Sequence, residues 1–295
     1  MNGHSNNEMR GKIALITGAN RGIGKETTRA LARKGATIVM ACRNLAITQP
    51  VCEAIRNESG NPQIEVMHLD LASLSSIREF AKQFCQKYQQ LNVLFNNAGV
   101  LCLKREETLD GFEKTMEINY LGHFLLTCLL LPVLEQTPEA RIINVSSIAH
   151  LWGQIDLSDL NFQKSYQGMK AYARSKLALV LFTQELAERS KGTNATANSL
   201  YPGLVETEMW NLLPERKWYQ AILRVVERLI LISKQEGAQT GIYLAWSDEV
   251  KGITGKYFYR KRARITSGRC KDIRLQKKLW QLSEKLTGLS EAVCC

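Results

Sequence analysis

The stretch KIALITGANRGIGKE (12–26) decides the fold class. Its first six residues, KIALIT (12–17), form a short β-branched apolar run of the kind that makes a buried strand. Three glycines follow, Gly18, Gly22 and Gly24, and then a helical pattern. Gly18 permits a tight turn, Gly22 lets the backbone approach a pyrophosphate, and Gly24 allows close packing of helix on strand. The helix start would then present backbone N–H donors and a positive dipole end to that phosphate. Glycine patterns are common, and it is the strand before and the helix after that give this one meaning.

The alternation continues down the chain. TIVMAC (37–42), IEVMHL (64–69), NVLF (92–95), RIINVS (141–146) and ATANSL (195–200) read as further strands, each followed by a helical stretch. Strand–helix repetition implies a parallel sheet covered on both faces, a single doubly wound, Rossmann-like α/β domain. Helices are expected near 216–232 and 234–247, then a short strand in GKYFY and a tail helix near 272–287. No linker interrupts the pattern. The expected division is a flexible start (1–11), one domain (12–260) and a basic C-terminal tail carrying a helix (261–295). Trp218, Ile222, Val225, Leu229 and Ile232 recur at helical spacing after the sixth strand, either as a core stripe or as a lid over the ligand crevice.

Composition narrows the class. Of 295 residues, 45% are hydrophobic and 23% charged, as in a soluble globular protein. The eight cysteines show no CxxC spacing, which points to reduced thiols facing the cytosol and to no metal site. Cys294–Cys295 do not fit a prenylation pattern and read as a frayed tail rather than a lipid anchor. The first residues lack the apolar core of a signal peptide, so secretion is not expected. INYLGHFLLTCLLLPVL (118–134) is apolar enough to suggest a membrane span, but it is short and carries Asn119, His123 and Thr127, which favours a buried helix. Net charge is +11, and Lys251–Lys278 holds eleven Lys or Arg against Asp272 alone. That window is either a solvated face or a patch for an anionic membrane surface; no nucleic-acid motif accompanies it.

Tyr172 and Lys176 stand four apart, one helical turn, in AYARSKLALV (171–180). A fixed ammonium beside a phenol stabilises phenolate and lowers the phenol pKa. Tyr166–Lys170 and Tyr257–Lys261 share the spacing. Gly168 lies inside the first of these, upstream of the apolar run, which weakens a helical turn there. The second sits on a strand-like stretch, where four residues span about 13 Å. Tyr172 opens a long amphipathic helix whose first turn is kept slim by Ala171, Ala173 and Ser175. Tyr172 and Lys176 are therefore the pair chosen.

The spacing Gly-x3-Gly-x-Gly, with NNAG (96–99), Asn119, NVSS (144–147), Tyr172–Lys176 and PGLVET (202–207), resembles the short-chain dehydrogenase/reductase family over roughly residues 12 to 260. The resemblance implies a catalytic set of Asn119, Ser147, Tyr172 and Lys176. Tyr172 would exchange a proton with the substrate oxygen, and Lys176 would lower its pKa and bond the nicotinamide ribose. Ser147, second of the serine pair, would hold the substrate oxygen, and Asn119 would anchor a water that relays protons to Lys176. The cofactor would be cradled by Gly18, Asn20, Arg21, Gly22, Ile23, Gly24, Arg43, Asp70, Leu71, Asn97, Ala98, Gly99, Tyr172, Lys176, Pro202, Gly203, Val205 and Thr207, with Asp70 near the adenine.

An NAD site would place an acid at the end of the second strand, to hold the ribose 2′-hydroxyl. Here that strand ends in ACRN, with Arg43 and no acid, and Arg21 stands in the glycine loop. Two guanidiniums suit a 2′-phosphate, so the expected cofactor is NADP(H).

Ser147 and Tyr172 are 25 positions apart, about twice the separation common in the family. The longer segment, with ACRN, ARIINVSSIAH, FTQELAER and TGKYF, is similar to the retinol dehydrogenase branch. That branch acts on retinaldehyde and other apolar aldehydes, often at membranes. The leading expectation is NADPH-dependent reduction of a lipophilic aldehyde or ketone, since cellular NADP pools are mostly reduced. Expected partners are this small molecule, an anionic membrane surface touched peripherally, and, as the family allows, a second copy of the chain. The expected location is the cytoplasmic side, free or at a membrane such as the endoplasmic reticulum. A silent NADPH-binding regulator and a sugar-nucleotide epimerase are the alternatives. The intact four-residue set speaks against the first, and the short chain after residue 250 against the second.

Overall fold

The computed structural model describes residues 8–205 and 231–289. Thr207, the lid stretch up to residue 230, the first seven residues and Cys294–Cys295 lie outside the described residues.

The apolar runs become strands β1 (Ile13–Thr17), β2 (Thr37–Cys42), β3 (Ile64–His68), β4 (Val93–Asn96), β5 (Ala140–Val145), β6 (Ala195–Leu200) and β7 (Tyr257–Tyr259). They form one sheet in the order β3-β2-β1-β4-β5-β6-β7, closed at one edge by β8 (Arg262–Arg264). Every pairing is parallel except β7–β8. β1 bonds β2 on one side and β4 on the other, so the winding reverses there and opens a crevice above the strands' carboxyl ends.

Between the strands run α1 (Gly22–Arg33), α2 (Leu45–Ser59), α3 (Leu74–Lys87), α4 (Lys114–Gln136), α5 (Gly168–Arg189) and α6 (Lys234–Trp246), and α7 (Ile273–Thr287) follows β8. Side-chain alternation along a strand feeds two cores. On β1, Leu15 packs with Phe84, Phe124 and Leu177 on one face, while Ala14 and Ile16 pack with Leu31, Ile55 and Ile242 on the other. The membrane-like run 118–134 belongs to α4, which is 78% buried over its most apolar stretch. A helix apolar all round is stable in water when protein covers all of it.

Two local expectations need correcting. α5 starts at Gly168, a turn before Tyr172; a Cβ at Gly168 would meet the Cys102 carbonyl oxygen at 2.4 Å, so close packing retains a glycine that propensity alone disfavours. Lys261 is not on a strand with Tyr257. The chain reverses at Arg260 and Lys261, both with positive φ (49° and 60°), and Tyr257 pairs with Arg264.

The helix expected in the basic tail is seated in the main core. Trp280 of α7 is 5% exposed and packs edge-on to Phe124 (5.0 Å between ring centroids) and beside Phe182 (5.7 Å). The Arg189 guanidinium covers it at 4.2 Å, and Ser283 Oγ bonds the buried Tyr120 hydroxyl at 2.7 Å. The basic residues ride on the outside: all eleven Lys and Arg from Lys251 to Lys278 are exposed. Trp280→Ala should cost about 3–5 kcal/mol in urea unfolding; a loss under 1 kcal/mol would mean that α7 is only loosely attached.

Candidate active site

The first residues after β1, β4, β5 and β6 all emerge at the crevice end of the sheet, because the strands are parallel. After β1, Gly18 (φ 63°) and Gly22 (φ 55°) turn the chain through backbone space that other residues enter only with strain. A Cβ on Gly24 would lie 2.4 Å from the Gly18 carbonyl oxygen and 2.6 Å from Asn97 Nδ2, so α1 starts hard against the β1 and β4 ends. At Gly22 nothing lies within 4 Å of such a Cβ, leaving the approach to the α1 N-terminus open. Arg21, at the N-cap of α1, supplies no side-chain cap to the first N–H donors of the helix.

The loop after β4 is pinned by a residue that sequence reasoning passed over. Thr17 Oγ1 accepts from the backbone N–H of Asn97 (2.9 Å) and Ala98 (3.0 Å), while Asn97 Nδ2 donates to the Thr17 carbonyl (2.9 Å). Asn97 thus fastens the glycine turn through its side chain. Thr17 ends KIALIT immediately before Gly18, and that adjacency was the available signal. Asn20 and Ile23 are half-buried in the glycine turn, and Arg21 and Arg43 are exposed at the starts of α1 and of the β2–α2 connection. Asp70 Oδ1 accepts from Ala72 N (3.0 Å) and shapes the turn after β3; Leu71 beside it is buried. Gly203 has φ 102° and abuts Ile232, whose backbone N–H donates to the Leu204 carbonyl while Val205 pairs with it across an isolated bridge. Pro202 is half-buried in the same turn.

Asn119 lies in a π-helical turn of α4, Glu117–Leu121, a geometry that commonly marks a functional position. Its side chain accepts from Val100 N (2.8 Å) and donates to Val100 O (2.9 Å) and Ser175 Oγ (3.0 Å). It therefore ties the end of the β4 loop to the helix that carries Tyr172 and Lys176.

The serine pair divides its work. Ser146 is buried and donates to the Lys176 carbonyl at 2.8 Å, whereas Ser147 is half-buried and its hydroxyl reaches Tyr172. His150, which sequence reasoning did not single out, holds the Ser147 carbonyl through Nδ1 at 2.7 Å and packs on Tyr257. Lys176 Nζ donates to Val145 O at 2.9 Å, lies 5.6 Å from the Tyr172 ring centre and closely abuts Gly99, where a Cβ would be 3.4 Å away.

Charge is costly here. Burial raises the Tyr172 phenol above its ordinary value, and the hydrogen bond to Ser147 pulls the other way. Burial lowers the Lys176 ammonium to about 8. In this state burial, and not the Lys176 charge, sets the direction of the Tyr172 shift.

The Tyr166–Lys170 pair has a different use. Tyr166 precedes α5, and its single hydroxyl proton is shared between Cys102 O (2.6 Å) and the carboxylate of buried Glu113 (3.0 Å), which itself caps the start of α4. With Arg174 stacked on Phe162 at 3.6 Å, this bond straps the long segment between Ser147 and Tyr172 onto the domain.

The family model for short chain dehydrogenases matches residues 12–218. The chain belongs to this family, whose members are oxidoreductases acting on CH–OH groups with a nicotinamide cofactor. Within it the chain falls in the retinol dehydrogenase branch: it is 42% identical over 285 residues to Mus musculus retinol dehydrogenase 13, covering 96% of this chain and 85% of that one. It is 40% identical to Homo sapiens retinol dehydrogenase 14, over 95% and 88% of the two chains. Among solved structures, an uncharacterised Mycobacterium paratuberculosis protein superposes with a TM-score of 0.77 at 35% identity, covering 95% of this chain and 94% of that one.

The depressed Lys176 value has a measurable consequence. Between about pH 8 and about 10.4, the ordinary lysine value, the unfolded chain holds a proton that the folded protein has released. Stability therefore rises with pH across that window. In denaturant titrations, wild type should gain stability relative to Lys176→Met from pH 8 to pH 10; a constant difference would contradict the burial of the ammonium.

Proposed function

We propose that this protein is an NADP(H)-dependent oxidoreductase that reduces a lipophilic aldehyde or ketone, with retinaldehyde the leading candidate. The observation that carries the reading is the Ser147–Tyr172–Lys176 group at the carboxyl end of β5, beside a glycine turn open to a dinucleotide. The fit to the cofactor rests on the open space over Gly22 and the closeness of Gly99 to Lys176. Bound there, the nicotinamide supplies the hydride.

The chain's own residues position and polarise. Ser147 holds the substrate oxygen, and Tyr172 delivers the proton to it as charge develops. Lys176, anchored on Val145 O, keeps its ammonium beside the phenol and reaches toward the ribose. Asn119 sets the distance between the β4 loop and α5. Arg21 and Arg43 receive the 2′-phosphate, Asp70 and Leu71 border the adenine, Asn20 to Gly24 and Asn97 to Gly99 line the nucleotide, and Pro202, Gly203 and Val205 border the nicotinamide end, a role the family motif assigns to Thr207 as well. Support for a lipophilic substrate comes from Ile148, Leu151 and Trp152, exposed apolar side chains that follow Ser147, and from Met169, one turn before Tyr172.

The exposed basic stretch from Lys251 to Lys278 supports peripheral contact with anionic lipid on the cytoplasmic side. Flotation with phosphatidylserine-containing vesicles should recover the protein, and recovery should fall with salt; equal recovery on neutral vesicles would remove the electrostatic contact.

Turnover tests the main reading. NADPH should be oxidised with retinaldehyde, and Tyr172→Phe should lower the rate about 10²–10⁴-fold while leaving NADPH binding in place. Arg43→Ala should weaken NADPH about tenfold and NADH little. NADPH binding without turnover of any aldehyde would favour the silent regulator instead.

A further inference from the structure

His123 is fully buried in α4, with every polar atom engaged, yet none of the roles above uses it. Its ring bridges two parts of the site that are far apart in sequence. Nε2 lies 3.0 Å from Thr17 Oγ1, and Nδ1 lies 3.2 Å from the backbone oxygen of Asn119.

Proton counting assigns the direction of both bonds. Thr17 Oγ1 already accepts from Asn97 N and Ala98 N, which uses its two lone pairs. Its single proton must therefore go outward, to His123 Nε2 at 3.0 Å or to Phe95 O at 3.4 Å, and the ring nitrogen is the nearer acceptor. A carbonyl can only accept, so the ring's own proton sits on Nδ1 and goes to Asn119. The imidazole is thus neutral, in agreement with burial that lowers it to about 4.

The ordinary role of a buried histidine is to satisfy itself within the core. This one does more, because each partner controls a different half of the site. Thr17 holds the loop of Asn97 and Ala98 against the glycine turn. Asn119 holds Val100 and, through Ser175, the helix of Tyr172 and Lys176. The Asn119 carbonyl lies in the π-helical turn, and the His123 ring bonds it from within the same helix.

We propose that His123 is a positioning residue that couples the nucleotide-binding turn to the catalytic helix, its neutral Nδ1–H form accepting from Thr17 and donating to Asn119. The proposal rests on the oxidoreductase reading given above. It treats the two ring nitrogens as separable functions, one for cofactor affinity and one for the chemical step.

Two amides separate them, since a glutamine places its polar end where Nε2 was and an asparagine where Nδ1 was. His123→Gln should retain NADPH affinity within about threefold and lower kcat about tenfold. His123→Asn should show the reverse, with the NADPH Kd raised about tenfold and kcat lowered less than threefold, each figure corresponding to one buried hydrogen bond. His123→Phe should lose both. NADPH binding is read by cofactor fluorescence without turnover, kcat at saturating retinaldehyde, and folding by thermal unfolding. Changes in Kd and kcat that follow the loss of Tm alike in both amide variants would overturn the coupling and leave a core histidine. In addition, ¹⁵N spectra of histidine-labelled wild type at pH 7 should show His123 protonated on Nδ1 only. The Nε2–H form would overturn the assignment whatever the enzyme's substrate proves to be. Wild type that binds NADPH but reduces no aldehyde would sink the function reading, while the tautomer and the Kd contrast would still decide on the Thr17 bond.

Discussion

The contact on which the remainder of the site depends is the one between Gly24 and the ends of β1 and β4. No side chain fits there: a methyl group would sit 2.4 Å from the Gly18 carbonyl oxygen. That closeness lets the first N–H groups of α1 stand directly over the point where the sheet's winding reverses. Thr17 then stitches the β4 loop to the glycine turn through three hydrogen bonds, so two segments about eighty residues apart present one surface. A helix dipole contributes only where its end is unobstructed and close, and both conditions are met by the absence of side chains.

The proposed catalytic pair obeys a different constraint. Tyr172 and Lys176 share a helix face, but burial acts on them in opposite senses, raising the phenol and lowering the ammonium, so each is held toward its neutral form. What keeps the ammonium in place is a backbone carbonyl, Val145 O, rather than a carboxylate. A carboxylate there would fix the charge and pull Lys176 away from the phenol; a neutral carbonyl orients the amine and leaves its proton available.

Burial also separates stability from charge in the C-terminal region. Trp280, Leu279 and Ser283 on one face of α7 join the core, and the cations around them stay outside. One segment therefore completes the domain and carries eleven exposed Lys and Arg against a single acid, Asp272. Sequence counting registered the second property, because charge adds along the chain. The first needed the packing partners on α4 and α5, which are about a hundred residues or more away.

The amino-acid sequence by itself determined β1 to β7, the parallel sheet and the glycine turn. These follow from local periodicity and from residues whose special backbone or chemistry acts at short range. The start of α5 at Gly168 was not legible, because a long-range contact with Cys102 O compensates for the poor local propensity. The separate tasks of Ser146 and Ser147, the strap from Tyr166 to Glu113 and the bridge through His123 were decided only by tertiary structure. Each depends on which buried donor meets which acceptor across the fold. Hydrogen bonds between distant segments leave no period in a sequence, since their partners are selected by geometry after the sheet has formed.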